Sequence, residues 1–561
     1  MIDILWFDCE VFSHDWLFVF AELKTKSFVT IKNNIKELKD YYEKHKYEIW
    51  AGYNSKNYDT YILKAILSGH DPYKVSKFII GGEQGFNYTD DFRNITLYTY
   101  DVYNTLNHSL KFYEGSLGDS IEESSISFDI DRKLTDEELQ EVETYCRHDV
   151  EETIKVFFEN LADFEAQLGL VKLTRPQYIS KTQTQMSSII LRAEKQDDNQ
   201  DEFNIDLPDT LNLNKYKYVA DWYMDYKNKS YDSSLETNVA GINTVFAWGG
   251  LHSAKEHYHY KGDILLMDVA SLYPSLMIRY NLLSRSVRKP EIYKELRDQR
   301  IEYKRQHNPL QLPLKLVLNK TYGAMKDKNN DLYDPRQANR VCVYGQLLLL
   351  DLIEKLEPYC DLIQSNTDGI FIANYTDEIK DIVTEWQSRT GLTLEFTKAK
   401  ELWQKDVNNY ILKLEDDTLK TKGAYVKELT PLDYADFPIV NIALTNKLVN
   451  DVPIEETIIK NNNLIDYQMV CKITGKFDAI FYGDKQLNEK CVRVFAGDDS
   501  LPNITKRHTE TKVLHKISNT PDHVFIDNSD IHGKLVPNNL NKRFYINMAN
   551  KRLKEFLGNE E

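Results

Sequence analysis

Short apolar runs of strand length (ILWFDCEVF, WLFVFAEL and ITLYTYDVY) alternate with amphipathic stretches over residues 1–190. That alternation predicts an α/β domain. It closes on a helix, TDEELQEVETYCRHDVEETIKVFFENL, which opens with a Thr135-x-x-Glu138 capping box. A polar stretch, EKQDDNQDEFNIDLPDTLNLNKYK, then predicts a linker or crossing segment over 191–245. From WGGLHSA to residue 430, strand-like DILLMDVASLY and LIQSNTDGIFIA flank helix-like EIYKELRDQRIEYKRQ and ANRVCVYGQLLLLDLIEKLEP. Residues 431–561 are mixed in pattern, and no repeat is evident.

The 561 residues are too many for one core and suggest about three to five domains. No apolar run is long enough to span a bilayer, and MIDILWFDCE lacks a basic region and a cleavage site. The expectation is a soluble, unexported protein. Six scattered cysteines without a C-x-x-C pair fit a reducing cytoplasm rather than a disulfide framework or zinc knuckle. The net charge of -17 argues, alone, against a nucleic-acid partner. Yet between Lys506 and Lys554 ten Lys/Arg stand against Glu510, Asp522, Asp527 and Asp530, so the tail is locally basic.

Asp8 and Glu10, two apart in the first strand, project from one face and can share a metal ion. Asn54, Tyr58 and Asp59 follow in GYNSKNYDT, and Tyr145 and Asp149 lie four apart on the predicted helix, hence on one side of it. In this order the motifs resemble the DEDDy 3′→5′ exonuclease domain of family B DNA polymerases. The resemblance implies that Asp8, Glu10, Asp59 and Asp149 hold two divalent ions roughly 3.5–4 Å apart, one activating water and one stabilising the leaving 3′ oxygen. It further implies that Tyr145 orients the water and that Asn54, Tyr58, Ser109 and Leu110 grip a frayed 3′ end. Val11 stands where relatives often have Thr.

A second set begins with Asp268-Val-Ala-Ser271-Leu272-Tyr273-Pro274-Ser275 after the strand ILLM. This matches the family's motif A. The resemblance gives metal binding to Asp268 with Val269 and to Asp368, triphosphate contacts to the turn at Ser271 and Leu272, and exclusion of a 2′-hydroxyl to Tyr273. Motif B reads Lys315-x-x-x-Asn319-x-x-Tyr322-Gly323, with Lys320 in place of Ser; Arg300 and Lys304 are candidate further triphosphate ligands. Motif C reads Ser365-Asn366-Thr367-Asp368-Gly369 in a predicted hairpin turn, Asn366 replacing the usual first Asp. Gly249-Gly250 match the link between editing and synthesis domains, with Ala247 for Tyr. Tyr410 and Lys422 match primer-duplex contacts, with Asn408 for Lys.

The expected fold is therefore α/β and α+β multidomain: an RNase H-like exonuclease (1–190), the crossing segment (191–245), palm (246–284), fingers (285–330), palm (331–430) and a thumb (431–561) assigned by position and basic charge. Intervals of about 47 residues from Asp268 to Lys315 and about 45 from Gly323 to Asp368 leave room for little beyond a finger hairpin. Inserts typical of protein-primed relatives, and the extra N-terminal domain of larger ones, are not expected. The implied protein is a compact, monomeric, primer-dependent DNA polymerase with proofreading, of bacteriophage or prophage type, in the cytoplasm of a bacterial host. It would use two Mg²⁺ per site, with Mn²⁺ as substitute, act on primer–template DNA and dNTPs without a membrane, and have helicase or single-strand-binding proteins as open partners. Alternatives are a protein-primed polymerase, a nuclease with a vestigial polymerase half, and a DNA-binding protein on a decayed polymerase fold.

Overall fold

A computed structural model of the chain describes residues 4–198, 200–433 and 437–558; the first three residues of the stretch read for an export signal lie outside it. The chain divides into two compact units. One gathers Met1–Thr182, Leu429–Ile439 and Ile458–Tyr545, the other Gln183–Glu428, Val440–Thr457 and Ile546–Glu561.

The first unit is built on a mixed five-stranded sheet of β1 (Ile4–Val11), β2 (Trp16–Glu22), β3 (Ser27–Lys32), β4 (Ile49–Gly52) and β5 (Tyr98–Asp101), ordered β3-β2-β1-β4-β5. β1 runs antiparallel to β2 and parallel to β4. Strand alternation separates two cores. Leu5, Phe7, Cys9 and Val11 pack with Ile62, Leu63 and Ile66 of the helix Asp59–Ser68 on one face. Trp6 packs with Val142, Cys146 and Val150 of the helix Asp136–Glu159 on the other. Asp8 and Glu10 share the parity of Trp6, so the period of two turns both acids toward the long helix. Thr135 caps that helix through its predicted box with Glu138.

The second unit carries a nine-stranded sheet. Its strands are β6 (Ser234–Val239), β7 (Ile242–Ala247), β8 (Gly250–Ala254), β9 (Tyr258–Val269), β10 (Asp361–Ser365), β11 (Gly369–Ala373), β12 (Leu394–Asp406), β13 (Asn409–Leu414) and β14 (Leu419–Lys422), ordered β14-β13-β12-β9-β11-β10-β8-β7-β6. Four helices intervene between β9 and β10: Leu272–Arg279, Glu291–Arg305, Gln311–Lys326 and Pro335–Leu356. The last is buried almost all round, as its apolar composition demands. Part of the stretch expected as a linker is ordered structure, the helix Lys217–Met224 with β6 and β7; alternating burial along β7, too short to stand out in a polar neighbourhood, makes it sheet.

Residues expected to form a thumb are divided between the units. Ile458–Tyr545 holds β15 (Met469–Lys472), β16 (Phe477–Tyr482), β17 (Lys485–Gln486), β18 (Cys491–Ala496), β19 (Ile504–His508), β20 (Leu514–Lys516) and β21 (Val524–Ile526), in sheets ordered β15-β18-β21 and β17-β16-β19-β20. Within the first unit this segment grips the helix Leu110–Leu117. Arg493, fully buried, donates to the carbonyls of Gly115 (3.2 and 3.0 Å), Asp119, Ser529 and Asp527. Val470 packs so tightly on Gly115 that an added Cβ there would lie 2.8 Å from it.

Candidate functional site

In the first unit, carboxylate oxygens of Asp8, Glu10 and Asp149 lie within 4.8 Å of one another. Burial, then repulsion from neighbouring acids, pushes the Asp8 and Glu10 carboxyls well above the usual range. Asp149 is raised to about 6 by burial, against the pull of Lys111. Asp59, at the first turn of its helix, comes from the opposite core layer: its Oδ1 accepts from the Cys9 backbone N–H at 3.2 Å and from Cys9 Sγ at 3.1 Å. Burial raises it to about 6, opposed by the Cys9 bond. Cys146 Sγ donates to Asp8 Oδ2 at 3.5 Å.

Lys111 was not singled out by sequence. Its ammonium bonds Asp149 Oδ1, reaches Glu114 Oε1 at 3.0 Å and lies 4.6 Å from the Tyr145 ring centre. Burial, followed by Asp149, raises the Tyr145 phenol, so it stays protonated at neutral pH. The signals available for Lys111 were its adjacency to Ser109-Leu110 and its i,i+3 spacing to Glu114; an ion pair with a residue on another helix has no sequence signature.

Asn54, Ser109 and Leu110 line a single cavity of about 550 Å³ with Tyr103, His108 and Lys472. Asn54 is held at φ 55 with its N–H on Asp101 Oδ1 at 2.8 Å, and Ser109 caps the Leu110–Leu117 helix. Tyr58 is not among the lining residues; its hydroxyl is hydrogen-bonded to Ser76 at 2.7 Å.

In the second unit, antiparallel pairing of β9 with β11 sets Asp268 opposite Gly369. A Cβ on Gly369 would lie 2.0 Å from Asp268 Oδ1, so the carboxylate occupies space that only glycine leaves. The Val269 N–H donates to the Asp368 carbonyl at 2.8 Å, joining motifs A and C. Burial, then Asp368, raises Asp268 to about 6. Asn366 closes the hairpin with its amide oxygen. Ser271 adopts φ 48, ψ 57 and starts the next helix, while its Oγ accepts from Arg300 Nη1 at 3.2 Å. Arg300 Nε has no hydrogen-bond partner among the described residues. Lys304 is exposed, and Lys315, Asn319 and Gly323 form an exposed stripe on the Gln311–Lys326 helix. Tyr273 meets Tyr322 with ring centres 4.2 Å apart.

Gly249 lies in the β7–β8 turn, where Ala247 pairs with Gly250. On β13 and β14, Tyr410 and Lys422 are cross-strand partners, with the ammonium 5.8 Å from the ring centre. Burial, then Asp268 and Asp368, raises the Tyr410 phenol, which places that ring within the field of the second acidic pair.

The fold is that of a mixed α/β multidomain chain with a carboxylate site on a sheet in each unit, and part of the chain is similar to archaeal proteins named DNA polymerase 1. No family model matches the chain. Relatives include DNA polymerase 1 of Aeropyrum pernix, 26% identical over 207 residues, covering 29% of this chain and 22% of that protein. DNA polymerase 1 of Saccharolobus solfataricus is 24% identical over 212 residues, covering 30% and 24%. That of Sulfolobus acidocaldarius is 22% identical over 242 residues, covering 34% and 27%. The matches thus span about a quarter of the curated relatives' length. A solved family B DNA polymerase from Pyrobaculum calidifontis aligns over 100% of this chain and 78% of its own, at 12% identity and a TM-score of 0.45. No described helix is long and apolar enough to cross a membrane.

Proposed function

We propose that the chain is a template-directed, primer-dependent DNA polymerase with a 3′→5′ proofreading exonuclease, acting on primer–template DNA and dNTPs in replication of a viral or prophage genome. The observation that carries this reading is the convergence of motifs distant in sequence: Val269 N–H on the Asp368 carbonyl in one unit, and Asp8, Glu10 and Asp149 within 4.8 Å in the other. Oxygen-only clusters with raised carboxyl pKa values suit hard divalent cations such as Mg²⁺ or Mn²⁺. When bound, such ions would supply charge neutralisation at each site, with a lowered pKa of the primer 3′-hydroxyl at the synthesis site and of water at the hydrolytic one.

The residues have separable tasks. Asp268 and Asp368 would hold cations at the primer end, while Arg300, already tied to Ser271, and Lys315 would take phosphate oxygens. Tyr273, backed by Tyr322, would form the floor under the sugar. In the first unit Asp8, Glu10, Asp59 and Asp149 would hold cations, and the protonated Tyr145 would hydrogen-bond the attacking water. Hydrolysis of frayed ends multiplies the selectivity that base pairing alone provides.

A primer-extension gel on an end-labelled primer–template with Mg²⁺, with and without the four dNTPs, tests both activities. Extension with dNTPs and 3′ shortening without them is the expected result. Shortening in both lanes would remove the polymerase assignment.

A further inference from the structure

The cavity beside the first acidic cluster has one wall that comes from far along the chain. Lys472 ends β15, and Thr474 follows it; both line the same 550 Å³ space as Asn54, Ser109 and Leu110. That volume is within the range of small-ligand sites. Leu110 lines the cavity, and the next residue on the same helix, Lys111, bonds Asp149 of the cluster.

Lys472 is exposed at that wall, and its ammonium has no carboxylate within salt-bridge distance among the described residues. The acids in its field are already engaged. Glu123 accepts the backbone N–H groups of Lys490 and Cys491 at 3.0 and 3.1 Å, and Glu114 is bonded to Lys111 at 3.0 Å. A cation on the wall of a cavity, without a counter-ion, can take an anion there. Around it the lining offers the neutral donors Asn54 and Thr474 and the ring of His108, which stacks on Phe112 with centres 4.0 Å apart. Phosphate attraction combined with ring faces is the chemistry of single-stranded nucleic-acid grooves.

We infer that Lys472 binds a backbone phosphate of the single strand whose 3′ end reaches Asp8, Glu10 and Asp149, so that the C-terminal segment supplies a strand-binding residue to the editing site. The inference rests on the exonuclease reading above. It also assigns that segment a role in the first unit besides packing. A phosphate could equally belong to a released nucleoside monophosphate, and the test separates the two.

The full-length Asp8→Ala variant, which would bind without degrading, is titrated with a fluorescent single-stranded oligonucleotide over a range of salt, with Lys472 intact, replaced by Ala, or replaced by Arg. Lys472→Ala is expected to weaken binding about tenfold and reduce the salt slope by about 0.7, the contribution of one phosphate on a single strand. Lys472→Arg is expected to restore both. With Asp8 intact, Lys472→Ala should raise KM for 3′ shortening with kcat within about twofold of the parent. An unchanged affinity and slope would overturn the inference, as would loss of kcat at unchanged KM. Unchanged oligonucleotide binding with loss of competition by a nucleoside monophosphate would move the site to the product and overturn it too. Failure of the parent chain to shorten any 3′ end would sink the exonuclease reading separately, while the binding titration would still decide whether Lys472 holds a strand.

Discussion

The amide oxygen of Asn366 accepts the backbone N–H groups of Asp368 at 3.2 Å and Gly369 at 2.9 Å, so Asn366 sets the turn that presents Asp368. A carboxylate could accept the same bonds. Asn366→Asp is therefore expected to retain primer extension and to saturate at lower Mg²⁺, because a negative charge is added beside the site. Asn366→Ala leaves two turn N–H groups unpaired, and extension should fall by about 10- to 100-fold, as for outer-shell supports of a metal site. Steady-state extension against Mg²⁺ concentration distinguishes them.

Gly369 admits no side chain without displacing the Asp268 carboxylate. Gly369→Ala should abolish extension while 3′ shortening continues at the parent rate. The two assays on one protein preparation check this, with circular dichroism to show that the fold is kept.

Each acidic set belongs to its own unit. Asp268→Ala is expected to reduce extension by at least ~10²-fold, beyond the effect of losing an outer-shell partner, and to spare degradation. Asp8→Ala should do the reverse. Extension by Asp268→Ala at the parent rate would show that motif A is misassigned.

The Asp268 carboxyl, raised to about 6 by burial and by Asp368, holds its proton more tightly folded than unfolded, where about 3.9 is usual. Its protonation stabilises the native state fully below about pH 4, and that contribution is lost as pH rises through about 6. Without metal, Asp268→Asn should therefore melt higher than the parent at pH 8 and no higher at pH 4. Mg²⁺ should raise the parent's Tm more at pH 8 than at pH 5, since binding needs the ionised acids. Differential scanning fluorimetry with EDTA or Mg²⁺ reads all four conditions.

Arg493 satisfies four backbone carbonyls in the interior of the first unit. Arg493→Met would remove this donor from all four and leave only Gly115 with another, the Gly118 N–H, at about 1–3 kcal/mol for each acceptor that stays dry. The first unit should unfold at lower denaturant concentration, with 3′ shortening lost at 37 °C. Limited proteolysis and the nuclease assay check it.

Much of the layout of the two acidic sites was legible because it is local or periodic. A period of two put Asp8 and Glu10 on one strand face, a period near four put Tyr145 and Asp149 on one helix side, and the Asn366–Gly369 turn was visible between two apolar runs. Part of the 191–245 stretch expected as a linker or crossing segment is strand, because β6 and β7 are short and pair as a local hairpin in an otherwise polar neighbourhood.

By itself the sequence determined which residue types stand in which order and on which local face, since backbone periodicity follows from covalent geometry. Only the tertiary structure decided that Lys111 pairs with Asp149, that Cys9 and Cys146 donate to Asp59 and Asp8, and that Ile458–Tyr545 packs in the first unit around Arg493. These relationships join residues tens to hundreds of positions apart. They arise because buried charges and polar groups must find partners wherever the packed core brings them, and that requirement leaves no spacing to read along a chain.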